Sequence, residues 1–219
     1  MAAPADVLEV LLEADGRRLP GTLALPAGAR GVVLFAHGSG SSRRSPRNRL
    51  VAGALQARGL ATLLFDLLEP SEAGDRRLVF DVELLSRRLL AATDRVRAET
   101  ATATLPLGYF GASTGAAAAL LAAAELGRDV AAVVSRGGRP DLAMARLPEV
   151  SAPTLLIVGA LDLQVLELNR AALAALRCPK HLAIVPGATH LFEEPGTLEE
   201  AARLAAEWLV ARVTGATPA

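Results

Sequence analysis

The feature of this sequence that most restricts its fold is the alternation of short apolar runs with longer segments of helical pattern. Runs such as 31–36, 61–65 and 154–158 are almost continuously apolar, which is typical of strands buried on both faces of a sheet. Because such runs alternate with helices, a mostly parallel sheet is favoured. The sequence therefore predicts an α/β fold, with a central sheet of about eight strands and helices on both faces.

Turn and cap signals place the helices between these runs. Ser45 and Pro46 suit the first turn of a helix that ends near Gly59. Further helices are predicted at about 75–98, after Ser113, near Leu142, at 164–176 and at 198–212. The tail at 214–219 is expected to fray.

The N-terminal part of the chain has a different pattern. Residues 6–14 and 17–25 read as two strands around Asp15-Gly16, a strong hairpin turn signal, and predict an antiparallel pair at the sheet edge. The sequence contains no internal repeat and no long linker. A length of 219 residues with 52% hydrophobic residues is enough for one core, so residues 1–219 are expected to form a single domain.

Composition and charge argue against several kinds of partner. The chain has 23 basic and 23 acidic residues, so neither nucleic acid nor a membrane surface is expected to bind it. The apolar stretch after Gly115 is interrupted by Glu125 and is too short to span a bilayer. No signal peptide is read at the N-terminus. The lone cysteine, Cys178, fits a reducing compartment, and a cytoplasmic protein is expected; a homodimer is left open.

A glycine-flanked serine lies at one of the strand-to-helix junctions. The segment 111–115 reads Gly-Ala-Ser-Thr-Gly, with an apolar run before it and a helical segment after it. A sharp turn there needs glycine two residues before and two residues after Ser113, because larger side chains would collide. The alternative is an ordinary glycine-flanked helix start. The strand–turn–helix context favours a nucleophile elbow that exposes the Ser113 hydroxyl.

A serine nucleophile requires a base and a group that orients the base. Of the three histidines, His190 follows the last predicted strand and is the expected base, whereas a core or surface role is expected for His181. Asp162 follows a buried strand and lies between Ser113 and His190 in the chain, as the acid should. Two alternatives stay open: Asp141 as the acid, and Asp162 as a helix N-cap.

The tetrahedral intermediate of such a reaction also needs backbone donors. One is expected from the amide of Thr114, the residue after the nucleophile, and the other from the amide of Ser39 in the HGSG loop. Gly38 and Gly40 would let this loop approach closely, which places Gly38 among the substrate-binding residues. His37 is expected to anchor the loop.

Four short strings together resemble the α/β-hydrolase superfamily: HGSG at 37–40, GASTG at 111–115, GALD at 159–162 and GATH at 187–190. In its size and lack of a lid the chain is most similar to the dienelactone hydrolase-like group. It departs from dienelactone hydrolase, whose nucleophile is cysteine, because Ser113 occupies that place, and lactone specificity therefore does not carry over. Residues 37–49 and 133–143 also resemble small bacterial hydrolases that are sometimes fused to phosphoribosyltransferase domains.

The resemblance implies a serine hydrolase that acts on small soluble esters or thioesters through a Ser113-His190-Asp162 triad. A non-catalytic binding or scaffold protein on the same fold is the alternative. The serine at the elbow argues against a dehalogenase or an epoxide hydrolase, which would need aspartate there. Neither metal-ligand spacing nor a phosphate-binding P-loop is present, so no metal and no cofactor are expected.

Several arginines lie near the predicted site. Arg136 follows a strand that should end beside the elbow, and it is expected either to bind an anionic group of the substrate or, with Arg139, to form a loop ion pair. Arg43, Arg44 and Arg47 follow the HGSG loop and either add positive potential or are solvated.

Overall fold

A computed structural model describes residues 5–214 of the chain, in which one eight-stranded sheet forms the centre. Its strands are β1 (Asp6–Ala14), β2 (Arg17–Leu25), β3 (Val32–Ala36), β4 (Ala61–Phe65), β5 (Leu107–Ala112), β6 (Val130–Arg136), β7 (Thr154–Gly159) and β8 (Lys180–Val185). They lie in the order β1-β2-β4-β3-β5-β6-β7-β8. The pairs from β4 to β8 are parallel, as the alternation predicts.

The predicted N-terminal hairpin forms the antiparallel edge of this sheet. β1 pairs with β2 along its whole length, and β2 pairs antiparallel with β4. The turn residues Asp15 and Gly16 have φ of 48° and 70°, the left-handed values that a two-residue hairpin turn requires. The turn signal and the edge position are both confirmed.

Helices cover both faces of the sheet. They are α1 (Pro46–Gln56), α2 (Arg76–Val79), α3 (Val82–Ala98), α4 (Thr114–Leu126), α5 (Leu163–Ala175) and α6 (Thr197–Val213). α1 and α6 pack on one face, and α3, α4 and α5 pack on the other. At the start of α1 the Ser45 hydroxyl accepts from the Asn48 amide, and Pro46 occupies the first turn, as predicted.

The predicted helix at 75–98 is wrong in one respect, because it is two helices. The Asp75 carboxylate accepts from the Arg77 amide at the start of α2, and the Asp81 carboxylate accepts from the Leu84 amide at the start of α3. Each aspartate satisfies an amide that a helix start leaves free, so Asp81 begins a new helix rather than continuing the first. The short helix near Leu142 is a 3₁₀ helix, Pro140–Glu149.

The parallel strands bring the candidate site residues to one edge of the sheet. β3, β5, β6, β7 and β8 end at this edge, and the loops that follow carry the HGSG segment, the elbow and the two remaining candidate triad residues. Within residues 5–214 no helix is both long enough and apolar enough to cross a bilayer. Most of the tail expected to fray, 215–219, lies outside the described residues, and the single domain over residues 1–219 stays a prediction.

Candidate active site

Ser113 lies in a strained turn between β5 and α4. Its φ of 51° and ψ of −122° fall outside the regions that side chains normally adopt, a conformation that costs about 1–3 kcal/mol. A Cβ on Gly111 would lie 2.4 Å from Ala116 Cα, and a Cβ on Gly115 would lie 2.2 Å from the Ala36 carbonyl oxygen. Both flanking glycines are therefore required by backbone contacts, as the sequence predicts.

Asp162 and His190 meet through a short hydrogen bond. The His190 Nδ1–H group donates to Asp162 Oδ2 at 2.6 Å. Asp162 stands at the N-cap position of α5, but its side chain makes no cap hydrogen bond, so the carboxylate contacts the imidazole instead of the helix. The competing acid, Asp141, accepts two hydrogen bonds of 2.8 Å from Arg139.

Backbone contacts between two loops hold this pair in place. The Leu161 amide donates to the Ala188 carbonyl at 2.9 Å, and a Cβ on Gly159 would lie 2.3 Å from that carbonyl oxygen. The Thr189 amide and hydroxyl donate to Glu194 at 3.0 and 2.6 Å. The loops after β7 and β8 are thus fixed against each other, which positions the imidazole relative to the carboxylate.

Ser113 and His190 line the same two cavities. No hydrogen bond joins the serine hydroxyl to the imidazole within the described part of the chain. In unliganded hydrolases this contact is often long and shortens when substrate binds. The structure thus brings Ser113, His190 and Asp162 together, and their action as a triad stays a prediction.

The two expected oxyanion donors lie beside the elbow. Ser39 and Thr114 line one cavity with Ser113 and His190, and neither backbone amide donates to a protein acceptor in residues 5–214. A Cβ on Gly38 would lie 2.7 Å from Ser113 Cβ, so the HGSG loop does approach the elbow closely at this residue.

His37 anchors the HGSG loop, as predicted. Its Nε2 accepts from the Leu67 amide at 2.9 Å, and its Nδ1–H donates to the Gly38 carbonyl at 3.0 Å. Both ring nitrogens are therefore occupied, and burial lowers the pKa of His37. His181 is exposed on β8, paired in register with Leu155 near the start of β7, and lies away from this edge of the sheet.

Arg136 ends β6 and lines the first of the two cavities, whose volume is about 250 Å³. It is only 7% exposed, its guanidinium lies 5.5 Å from the centre of the Phe192 ring, and Nη2 donates to Asn48 Oδ1 at 3.5 Å. No carboxylate among residues 5–214 forms an ion pair with it. The ion-pair interpretation is therefore wrong for Arg136 and right for Arg139, which is paired with Asp141.

Of the three arginines after the HGSG loop, one lines the cavity of Arg136 and two lie elsewhere. Arg43 pairs with Asp66 at 2.9 Å and lines a separate groove with Arg44. Arg47 lines the cavity of Arg136 and reaches Glu193 at 3.5 Å. Only Arg47 of these three therefore adds positive potential to the cavity of about 250 Å³.

Two residues of the site escape analysis of the sequence. Asn48 is buried on the apolar stripe that α1 forms with Val51, Ala52 and Leu55, and a polar residue on such a stripe is a signal that could have been used. Phe80 lines the second cavity together with Val165, and nothing in its local sequence marks it.

Known proteins resemble this chain over almost its whole length. No protein-family model matches. The crystal structure of a dienelactone hydrolase from Anabaena variabilis is 53% identical, covers 96% of this chain and 100% of that one, and superposes with a TM-score of 0.93. The esterase domain of a Rhodothermus marinus protein is 21% identical, covers 95% and 99% of the two chains, and has a TM-score of 0.77. At that identity the second match shows the fold alone.

Two curated proteins of Mycobacterium tuberculosis, both named "Putative phosphoribosyl transferase", are 56% identical over 210 residues. The match covers 96% of this chain but 47% of theirs, so the chain spans about half the length of these relatives. The solved Anabaena protein, by contrast, is matched from end to end. The chain therefore belongs to the dienelactone hydrolase-like group of the α/β-hydrolase superfamily.

Proposed function

We propose that this protein is a serine hydrolase that cleaves small soluble carboxylic esters or thioesters through an acyl-enzyme intermediate. The observation that carries the proposal is the 2.6 Å hydrogen bond between His190 and Asp162, in a cavity that also exposes the strained Ser113. The esterase and dienelactone hydrolase among the solved neighbours support hydrolysis. The phosphoribosyl transferase name belongs to chains about twice as long, and no transferase activity is proposed for this one.

In the first half of the reaction, Ser113 Oγ attacks the carbonyl carbon of the substrate and its proton passes to His190 Nε2. The carbonyl oxygen becomes an oxyanion that accepts hydrogen bonds from the amides of Ser39 and Thr114. Asp162 holds the imidazole through Nδ1 and stabilises its charged form. The intermediate then collapses, the bond to the alcohol or thiol breaks, and His190 returns the proton to the leaving group.

In the second half, water repeats the attack on the acyl group. His190 takes a proton from the water as its oxygen bonds to the carbonyl carbon, and the same two amides hold the second oxyanion. Collapse breaks the bond to Ser113 Oγ, which recovers its proton from His190, and the carboxylic acid leaves. The cavities beside Ser113 are open to solvent and small, which favours short esters over long-chain lipids.

Labelling with a fluorophosphonate, together with hydrolysis of phenyl acetate, tests this proposal. The wild type should be labelled at Ser113, and Ser113→Ala should lose labelling and orders of magnitude in kcat while staying folded. His190→Ala should abolish hydrolysis, whereas the matched control His181→Ala should keep it. If the folded wild type is neither labelled nor active, the non-catalytic alternative is correct. If Ser113→Ala is active, the assignment of Ser113 as the nucleophile is refuted.

A further inference from the structure

We propose that the substrate carries a carboxylate or phosphate group, which Arg136 and Arg47 bind at the N-terminus of α1, beside Ser113. The inference rests on the proposed function for the identity of the bound molecule as a substrate. The site lies in the cavity of about 250 Å³, whose lining includes Ser45, Asn48 and His190.

The main observation is a buried guanidinium that has no counter-ion among residues 5–214. Arg136 is 7% exposed, no carboxylate in the described residues pairs with it, and its Nε and Nη1 atoms are buried without a hydrogen-bond acceptor. Proteins rarely bury a charge in this way unless it is paired or binds a ligand. Since Arg136 lines the cavity next to Ser113, an anion that enters the cavity would supply the missing counter-charge.

The guanidinium is held in a fixed position relative to the nucleophile. The Arg136 carbonyl accepts from the Ser113 amide at 3.3 Å, and Arg136 is paired with Ala112 in the sheet register. The Phe192 ring packs against the guanidinium, and Asn48 on α1 accepts a hydrogen bond from it. An arginine constrained by a strand, an aromatic ring and a helix is arranged for recognition of a planar or tetrahedral oxyanion.

A second cationic element faces the same cavity. Helix α1 has 11 residues, so its N-terminus presents partial positive charge, and the Arg47 amide is the one first-turn amide without an acceptor among residues 5–214. Arg47 adds a full charge, and its contact with the exposed Glu193 is long at 3.5 Å, so the contact is weak. Burial and the nearby charge of Arg47 lower the pKa of Arg136 to about 10, which leaves the guanidinium charged at neutral pH.

The second cavity beside Ser113 differs in character. The second cavity is lined by Phe80 and Val165, and its arginine, Arg139, is already paired with Asp141. The substrate is therefore expected to place its charged group toward Arg136 and its uncharged part toward Phe80.

Kinetics with matched esters test the proposal. Phenyl acetate is the neutral reference, 3-acetoxybenzoate and 3-acetoxyphenyl phosphate carry the charge on the leaving group, and monophenyl adipate carries it on the acyl group. The wild type should favour at least one anionic ester over phenyl acetate by tenfold or more in kcat/KM. In Arg136→Gln, the ratio of kcat/KM for that ester to kcat/KM for phenyl acetate should fall by about ten- to a hundredfold.

Arg49→Gln is the matched control, because Arg49 is an exposed arginine on the same helix and lines a different groove. This variant removes the same charge and should leave the ratio of kcat/KM between the charged and neutral esters unchanged. Arg47→Gln should lower that ratio by several fold. If Arg136→Gln fails to fold, Arg47→Gln is the variant that tests the anion site. Equal losses on charged and neutral esters in the arginine variants would overturn the proposal.

Binding of inorganic phosphate and of succinate, measured by calorimetry on Ser113→Ala, separates this proposal from the proposed function. Binding that disappears in the Ser113→Ala/Arg136→Gln double variant supports the anion site even if no ester is hydrolysed. Hydrolysis of phenyl acetate without any preference for charged esters, and without binding of either anion, would leave the proposed function standing and refute the anion site.

Discussion

The close approach of the HGSG loop to the elbow makes Gly38→Ala the sharpest test of the site's geometry. The new Cβ would lie 2.7 Å from Ser113 Cβ and 3.0 Å from the Ala112 carbonyl oxygen. Non-bonded carbons are in favourable contact at about 3.5–4.0 Å, so the loop and the elbow must separate by roughly 0.8 Å. Neither neighbour can yield easily, since Ser113 is already strained and Ala112 belongs to β5.

The loss of activity caused by this separation can be worked out from the oxyanion donor that it displaces. The Ser39 amide comes directly after Gly38, and an oxyanion donor works at about 2.7–3.1 Å from the oxygen. A shift of this size therefore removes most of one hydrogen bond to the transition state. Loss of one such donor lowers kcat by about 10²–10³-fold, and the effect on KM should be much smaller because the ground state makes little use of the bond.

The assay compares kcat and KM for phenyl acetate in Gly38→Ala, Gly53→Ala and the wild type. Gly53 lies inside α1 with nothing within 4 Å of an added Cβ, so Gly53→Ala should keep the activity and gain up to about 1 kcal/mol in stability. Circular dichroism and urea unfolding establish that each variant is folded. A folded Gly38→Ala with kcat within threefold of the wild type would refute the reasoning.

Three further predictions concern the acid of the site and two buried charged or titratable groups. Asp162→Asn should lower kcat for phenyl acetate by about 10³–10⁴-fold, because an amide favours the wrong tautomer of His190, and unchanged kcat would refute the pairing. Burial lowers the pKa of His37, so on acidification the unfolded chain takes up a proton on this residue before the folded chain does. As the pH drops below about 6.5, the free energy of unfolding should therefore decrease, by up to 1.36 kcal/mol per pH unit for this group, and the decrease should be less steep in His37→Gln. Arg88 forms a buried pair with Glu72 at 2.7 and 2.8 Å, so Arg88→Leu should cost about 3–5 kcal/mol in urea unfolding, with partial recovery when Glu72→Gln is added.

Sequence reasoning predicted the order of the elements and the place of the elbow because both depend on local pattern. Short apolar runs predict buried strands, and glycines at 111 and 115 around a serine fit the sharp turn of a nucleophile elbow. Ser113, Asp162 and His190 each follow the end of a predicted strand, which placed them at one sheet edge, since the carboxyl ends of parallel strands share that edge.

The remaining features depend on contacts that a linear pattern does not record. The break at Phe80–Asp81 arises because a side-chain cap at Asp81 competes with helical periodicity. Whether Arg136 has a carboxylate partner depends on which acidic residues the fold brings near it. Its contact with Asn48 joins residues 88 positions apart. The position of Arg136 after a predicted strand placed it near the elbow, but only the fold determines whether it has an ion-pair partner.

The strained backbone at Ser113 has a consequence for the evolution and engineering of this chain. Glycine adopts a φ of 51° without the penalty that a side chain brings, so Ser113→Gly should be more stable than the wild type and inactive. A library selected for thermal tolerance alone would therefore tend to erase the nucleophile. Stabilising variants of this protein should be sought under a screen that also demands turnover, because stability and chemistry make opposite demands on this residue.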